Sequence, residues 1–161
     1  MRLLSNSPDD TRQIGKLLGR LLRLGDVVAL AGRLGSGKTV LTQGLAEGLD
    51  VDPDEYVSSP SFTIVNEYRG RTPIFHVDIY RLQGQPEMVA LGYEEYFDPR
   101  GVTIIEWADK VRDLLPERHV LIEFQISGAE RRELTVTLAG DWPPEIAAEV
   151  QKVLQPYQRE R

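Results

Sequence analysis

Residues Gly32 to Thr39 read GRLGSGKT, a full match to G-x-x-x-x-G-K-[ST], and this octet constrains the fold more than any other stretch of the chain. A loop of this kind wraps backbone N–H groups around a polyphosphate, brings its lysine to the β/γ oxygens and sets its Ser/Thr hydroxyl on Mg²⁺. It needs a strand leading in and a helix leading out, because the helix dipole and its unpaired N–H groups then face the phosphates. Both flanks fit. Asp26 to Ala31 (DVVALA) is an apolar, β-branched run, and VLTQGLAEGL after the loop has helical spacing. A glycine-rich turn with no ligand would leave the motif and its flanks unexplained together. The octet predicts a nucleoside triphosphate site inside an α/β fold.

The rest of the chain predicts how that core is completed. Ser7-Pro8-Asp9-Asp10 is a helix start, with Ser7 as cap and acids near the positive dipole end. Ile14, Leu17, Leu18, Leu21 and Leu22 recur at helical spacing, and Gly25 closes the segment. Asp50 to Asp54 is a polar break around Pro53, and Ser58 to Ser61 is a second irregular stretch. Thr63–Tyr68 and Ile74–Tyr80 form a predicted antiparallel hairpin across Arg69-Gly70-Arg71-Thr72. Pro86–Leu91 is a short helix, and Val102–Ile105 a buried strand ending at Glu106-Trp107. Val120–Ile126 and Leu134–Leu138 make a second hairpin, and Pro143 opens an amphipathic helix. Residues 1–161 thus form a single P-loop NTPase-like α/β domain with a mixed, mostly parallel central sheet flanked by helices, and 157–161 a frayed tail.

Composition narrows the function further. No apolar run approaches the length of a membrane span, so the chain is expected in the cytoplasm without a membrane partner. The absence of cysteine excludes disulfides, thiolate metal sites and a cysteine nucleophile. A net charge of −6 argues against coating nucleic acid directly, while leaving action on RNA through a partner open.

A phosphate loop needs a carboxylate for Mg²⁺ or its water shell and a group that orients the attacking atom. Asp78, within IFHVDIY, and Glu106, at the end of VTII, stand where apolar strands finish; either could equally be a structural acid. Ser58, Ser59, Ser61 and Thr63 flank Pro60 and could touch the γ-phosphate, or form an ordinary turn. His76 alternates in phase with Asp78, so both face one side of a strand; by itself such a histidine is more often packed than catalytic. Bulk favours the core for Trp107. His119 reads as a surface residue, and Arg131-Arg132 as a solvated hairpin tip that could also reach a nucleotide or a partner.

Four segments in order, GRLGSGKTVLT, SSPSFTIVNEY, HVDIYRL and IIEWADK followed by LLPE, resemble the TsaE (YjeE-type) family of bacterial tRNA threonylcarbamoyladenosine biosynthesis. The phosphate loop is common to many NTPases, whereas the second and third segments together are specific to this family. The resemblance spans about residues 7 to 140. It implies ATP and Mg²⁺ as ligands, held by Gly35, Ser36, Gly37, Lys38, Thr39 and Val40. Thr39 and Glu106 would serve the metal, Asp78 the water, with Lys38, Asp78 and Glu106 as the catalytic set. Ser59 to Thr63 fall on a segment likened to a GTPase switch, Trp107 on a tryptophan after the metal acid, and Arg132 on a basic position beside the nucleotide. Ser7 to Thr11 fall on the adenine side. The family's partners are TsaB and TsaD, which carry out threonylcarbamoyl transfer to the adenosine adjoining the anticodon; the ATPase reaches tRNA only through them and resets the assembly. Arg33 departs from the acid usual after the first loop glycine, Ser61 from a threonine, and Val40 from a common threonine.

Two other functions use the same loop. A small-molecule kinase would need an acceptor pocket and an arginine-bearing lid, for which Arg69-Gly70-Arg71 is too short. A GTP-dependent regulatory switch would carry N-K-x-D to read guanine, and the chain has no such motif.

Overall fold

The alternating and helical hydrophobic runs sort into one sheet with helices on both faces. The computed structural model describes residues 1–60, 64–97 and 100–159. In chain order it has β1 (Arg2–Ser5), α1 (Pro8–Gly19), β2 (Val27–Ala31), α2 (Lys38–Gly48), β3 (Val65–Arg69) and β4 (Pro73–Asp78). Then come α3 (Gln85–Ala90), a 3-10 turn (Tyr93–Phe97), β5 (Val102–Glu106), a kinked 3-10 stretch (Ala108–Leu114), β6 (His119–Ile126), β7 (Arg132–Ala139), α4 (Pro144–Leu154) and a closing 3-10 turn (Gln155–Tyr157).

The sheet runs β1-β7-β6-β2-β5-β4-β3. Its centre is parallel, with β2 between β6 and β5 and β4 beyond β5. Its flanks are antiparallel, as both predicted hairpins require. The mixed, mostly parallel sheet predicted from the sequence is therefore the one observed, and the phosphate loop leaves its middle strand. Every residue of β2 is buried, as a strand covered on both faces must be. On one face Val28, Leu30 and Ile104 pack under α1, α2 and α4 through Ile14, Leu41, Leu45 and Leu154. On the other, Ala29, Val77 and Ile105 pack with Met88 and Val111.

Helices α1 and α2 meet backbone to backbone. A Cβ added at Gly44 would run into the carbonyl of Arg12, and one at Gly15 into that of Leu41, so a side chain at either position would push the phosphate-loop helix off its neighbour.

Several boundaries depart from the sequence expectation. Helix α1 ends at Gly19 instead of running on through Leu22. Arg71 explains why: its guanidinium donates to the carbonyls of Gly19 at 2.8 Å and Leu22 at 2.7 Å, and to Gly48 at the end of α2 at 2.6 Å. One arginine from the β3–β4 turn thus satisfies orphan carbonyls after both helices. Strand β4 stops at Asp78, not Tyr80, because the Asp78 carboxylate takes the Tyr80 N–H at 2.9 Å and turns the chain. Strand β1, too short to show a period, pairs with β7. The tail also needs correction. Arg159 donates its N–H to the Arg2 carbonyl at 3.1 Å and its guanidinium to Glu133 at 2.7 Å, so residues 157–159 are held against β1, and 160–161 lie outside the described residues. Among the described residues no helix is long and apolar enough to cross a membrane.

Candidate functional site

Strand β2 delivers the chain at Ala31, and α2 begins at Lys38. Between them Gly37 occupies the cap position of α2 with φ of 103°. A side chain there would be strained, and no side chain caps the helix. The N–H groups of the first turn of α2 are thus left for an anion, with the helix dipole behind them.

Lys38 is 5% exposed. Its ammonium donates to the carbonyls of Gly32 at 2.7 Å and Arg33 at 2.9 Å, and to Ser36 Oγ at 3.3 Å. It also lies 3.8 Å from the centroid of the Trp107 ring, a cation–π contact. Burial lowers the Lys38 pKa from the usual lysine value, while Glu106, Asp109 and Asp78 pull it back up.

The two acids arrive on the same face by strand alternation. In β4 the residues Ile74, His76 and Asp78 share the face that carries α2, and in β5 so do Val102, Ile104 and Glu106. The parallel register sets Asp78 beside Glu106. Glu106 is 2% exposed. Its Oε1 accepts from the Thr39 hydroxyl at 3.0 Å, and its Oε2 bonds to His76 Nε2. Asp78 accepts from the Ser59 hydroxyl at 2.5 Å. Thr39, Lys38, Glu106, Asp78, Ser59 and Pro60 line one cavity of about 530 Å³ with Gly35, Ser36, Gly37 and Val40, a volume in the range of small-molecule sites. Ser61 and Thr63 lie outside the described residues.

Other sequence expectations are met differently. Trp107 is half-buried, not core, and its backbone sits at φ 64°, a left-handed conformation that costs a bulky residue about 1–3 kcal/mol. This turn swings the indole into the cavity wall, with the Tyr80 ring 4.8 Å from it. Tyr80 and the Leu82 backbone are in turn tied to the rest of that wall by Lys110, whose ammonium donates to their carbonyls at 2.6 and 3.0 Å. Arg132 is beside the loop but does not line the cavity: it donates to the carbonyls of Ser36 at 3.1 Å and Gly35 at 3.2 Å, and to three carbonyls of its own hairpin turn. It therefore holds the loop from outside. Thr11 lies against Gly37 and is buried on Ser5, its hydroxyl 2.7 Å from that serine's, so this residue backs the loop as well. His119 is half-buried, its Nδ1 2.7 Å from the Pro116 carbonyl. The residues of the β3–β4 turn are structural: Arg71 caps helices, and Arg69 pairs with Glu55 and Asp52.

The donor set fits a nucleotide with Mg²⁺. A hydroxyl and a carboxylate stand together at the start of α2, beside a buried lysine, and Mg²⁺ is held in such sites by one or two oxygen ligands plus the phosphates themselves. Among the described residues there is no cluster of three or more His, Cys, Asp or Glu that would hold a metal on protein ligands alone.

The family model of "Threonylcarbamoyl adenosine biosynthesis protein TsaE" matches residues 5–134. The chain is similar to the tRNA threonylcarbamoyladenosine biosynthesis protein TsaE of Bacillus subtilis (strain 168), with 40% identity over 136 residues covering 84% of each. It is 40% identical to the protein of the same description from Treponema pallidum (strain Nichols), over 84% of this chain and 99% of that one. The crystal structure of YdiB from Bacillus subtilis superposes with a TM-score of 0.79 at 35% identity, covering 94% of both chains.

Proposed function

The chain belongs to the TsaE family of tRNA threonylcarbamoyladenosine biosynthesis, and from that premise we propose that it is a Mg²⁺-dependent ATPase. It works in the cytoplasm with TsaB and TsaD and resets their assembly by hydrolysis. It meets tRNA through them. The observation that carries the reading is the meeting of Thr39 and Glu106 at the head of α2, next to Lys38 and in one cavity with Asp78.

Each residue has a task that its surroundings suit. The N–H groups at the start of α2 and the Lys38 ammonium take the β/γ oxygens; Lys38 is already desolvated, so its charge acts in a low dielectric. Thr39 and Glu106 would hold the metal directly or through its water. Mg²⁺, when bound, supplies charge that offsets the developing negative charge on the phosphoryl oxygens. Asp78 stands next to Glu106 at the cavity wall and can orient or accept a proton from the attacking water. Trp107 and Tyr80 form one wall of the cavity.

A product assay decides between this reading and its rivals. ADP and inorganic phosphate without an acceptor identify an ATPase; phosphate transferred to a metabolite identifies a kinase, and a preference for GTP identifies a switch. Capture of TsaB and TsaD with ATP, weakened without it, is the expected partner result, and no capture in either state removes the assembly role.

A further inference from the structure

Behind Glu106 runs a line of buried side chains that the hydrolysis scheme leaves unused. His76 is wholly buried, and Tyr68 is 5% exposed. His76 Nε2 bonds to Glu106 Oε2, the oxygen that Thr39 does not use. Its other nitrogen, Nδ1, is 3.3 Å from the Tyr68 hydroxyl. That hydroxyl donates to the Ser58 carbonyl at 3.0 Å, accepts the Ser58 N–H at 3.3 Å and accepts from Asn66 Nδ2 at 3.3 Å. Asn66 Nδ2 also donates to the Ser58 carbonyl at 3.4 Å, so phenol and amide together hold the Ser58 backbone. With Nε2–H aimed at the carboxylate, His76 donates to Glu106 from one ring nitrogen and rests the other against the Tyr68 hydroxyl.

We infer that His76 is a positioning residue for Glu106, and that Tyr68 extends its hold to the backbone of Ser58. A carboxylate with one oxygen fixed from behind can present the other only toward Thr39, so its rotation is spent before any ligand arrives. The same line ends one residue before Ser59, whose hydroxyl binds Asp78. The segment entering the cavity and the acid beside the phosphate loop are thereby joined through the sheet. This inference rests on the reading of Glu106 as part of the Mg²⁺ shell. A histidine serving only to fill the core would be replaced equally well by any side chain of its volume; this one has a cavity-lining carboxylate as its partner, and partners of that kind typically change metal affinity about 10- to 100-fold when lost.

The test uses the full chain with a non-hydrolysable ATP analogue and Mn²⁺ as the probe, its binding followed by electron paramagnetic resonance. His76→Leu keeps volume without a ring nitrogen, His76→Gln restores an N–H near the position of Nε2, and Tyr68→Phe removes only the hydroxyl. His76→Leu should weaken Mn²⁺ about tenfold and leave metal-free nucleotide affinity unchanged, which also shows that the loop is folded. His76→Gln should recover most of the loss. Tyr68→Phe should cost about threefold, as expected for one long hydrogen bond, and add little in the double variant with His76→Leu. Wild-type Mn²⁺ affinity in a folded His76→Leu protein overturns the inference, as does an equal loss in His76→Leu and His76→Gln, which would mean packing alone. If His76→Leu does not fold, the other two variants carry the test, and wild-type affinity in Tyr68→Phe removes the link to Ser58. Glu106→Gln separates the two levels. If it binds Mn²⁺ normally, the metal-shell reading itself fails; if it is impaired while His76→Leu is not, only the positioning role fails.

Discussion

The end of β5 and the end of β4 lie side by side against the phosphate loop, yet they are built in opposite ways. Glu106 closes β5 at 2% exposure, with one oxygen on Thr39 and the other on His76. Its surroundings come from a helix and two central strands. Asp78 closes β4 half-buried, with one oxygen turned back on its own chain at Tyr80 and the other on Ser59, in the stretch that leads into Pro60. A carboxylate locked into the sheet suits a task that needs fixed geometry, such as supporting a metal. One shared between a strand end and a loop suits a task that changes during a cycle, such as placing a water. Burial and partner type, more than residue type, divide the labour.

The largest effect expected comes from Lys38, whose charge is felt by both strand-end acids. Lys38→Ala should weaken ATP at least about 100-fold, the scale for truncating a buried charged contact; calorimetry that returned wild-type affinity would reject the phosphate site altogether. Asp78→Asn sharpens the comparison next. Single-turnover hydrolysis in the presence of TsaB and TsaD should fall about 10²-fold, with Mg²⁺–ATP affinity intact and the assembly formed but unable to cycle. Glu106→Gln should show the converse, an ATP affinity whose Mg²⁺ dependence is about tenfold weaker. If these two variants exchange phenotypes, the roles are reversed, and if both behave as wild type, the carboxylates are structural. The smallest effect belongs to Ser59→Ala, which removes one hydroxyl from Asp78 and should slow hydrolysis about threefold without touching the Mg²⁺ titration. A Mg²⁺ phenotype in Ser59→Ala would break the division between the two strand ends.

Much of the scaffold was legible because its signals are local. The phosphate loop is eight adjacent residues whose strand and helix flanks carry their own periods, and both hairpins announce themselves through short turns between alternating runs. The two acids could be marked as strand-terminal candidates, but their different surroundings could not. The alternation of His76 and Asp78 does put them in phase on one face of a strand. Nothing local says that the strand across from them ends in Glu106. Trp107 departs from expectation for a related reason: bulk argues for the core, whereas the left-handed turn after β5 aims the ring at Lys38.

By itself the sequence determined the phosphate loop, the α/β class and the faces of the strands, since these follow from neighbouring residues and from periods of two and 3.6, and its four segments carried the resemblance to the family. Tertiary structure decided which distant side chains share a hydrogen bond. Thr39 and Glu106 are 67 positions apart, His76 and Glu106 are 30, and Arg132 and the Ser36 carbonyl it holds are 96. Those pairings depend on strand order and parallel register, which are set by how the whole sheet buries its two faces, and no stretch of the chain contains that information alone.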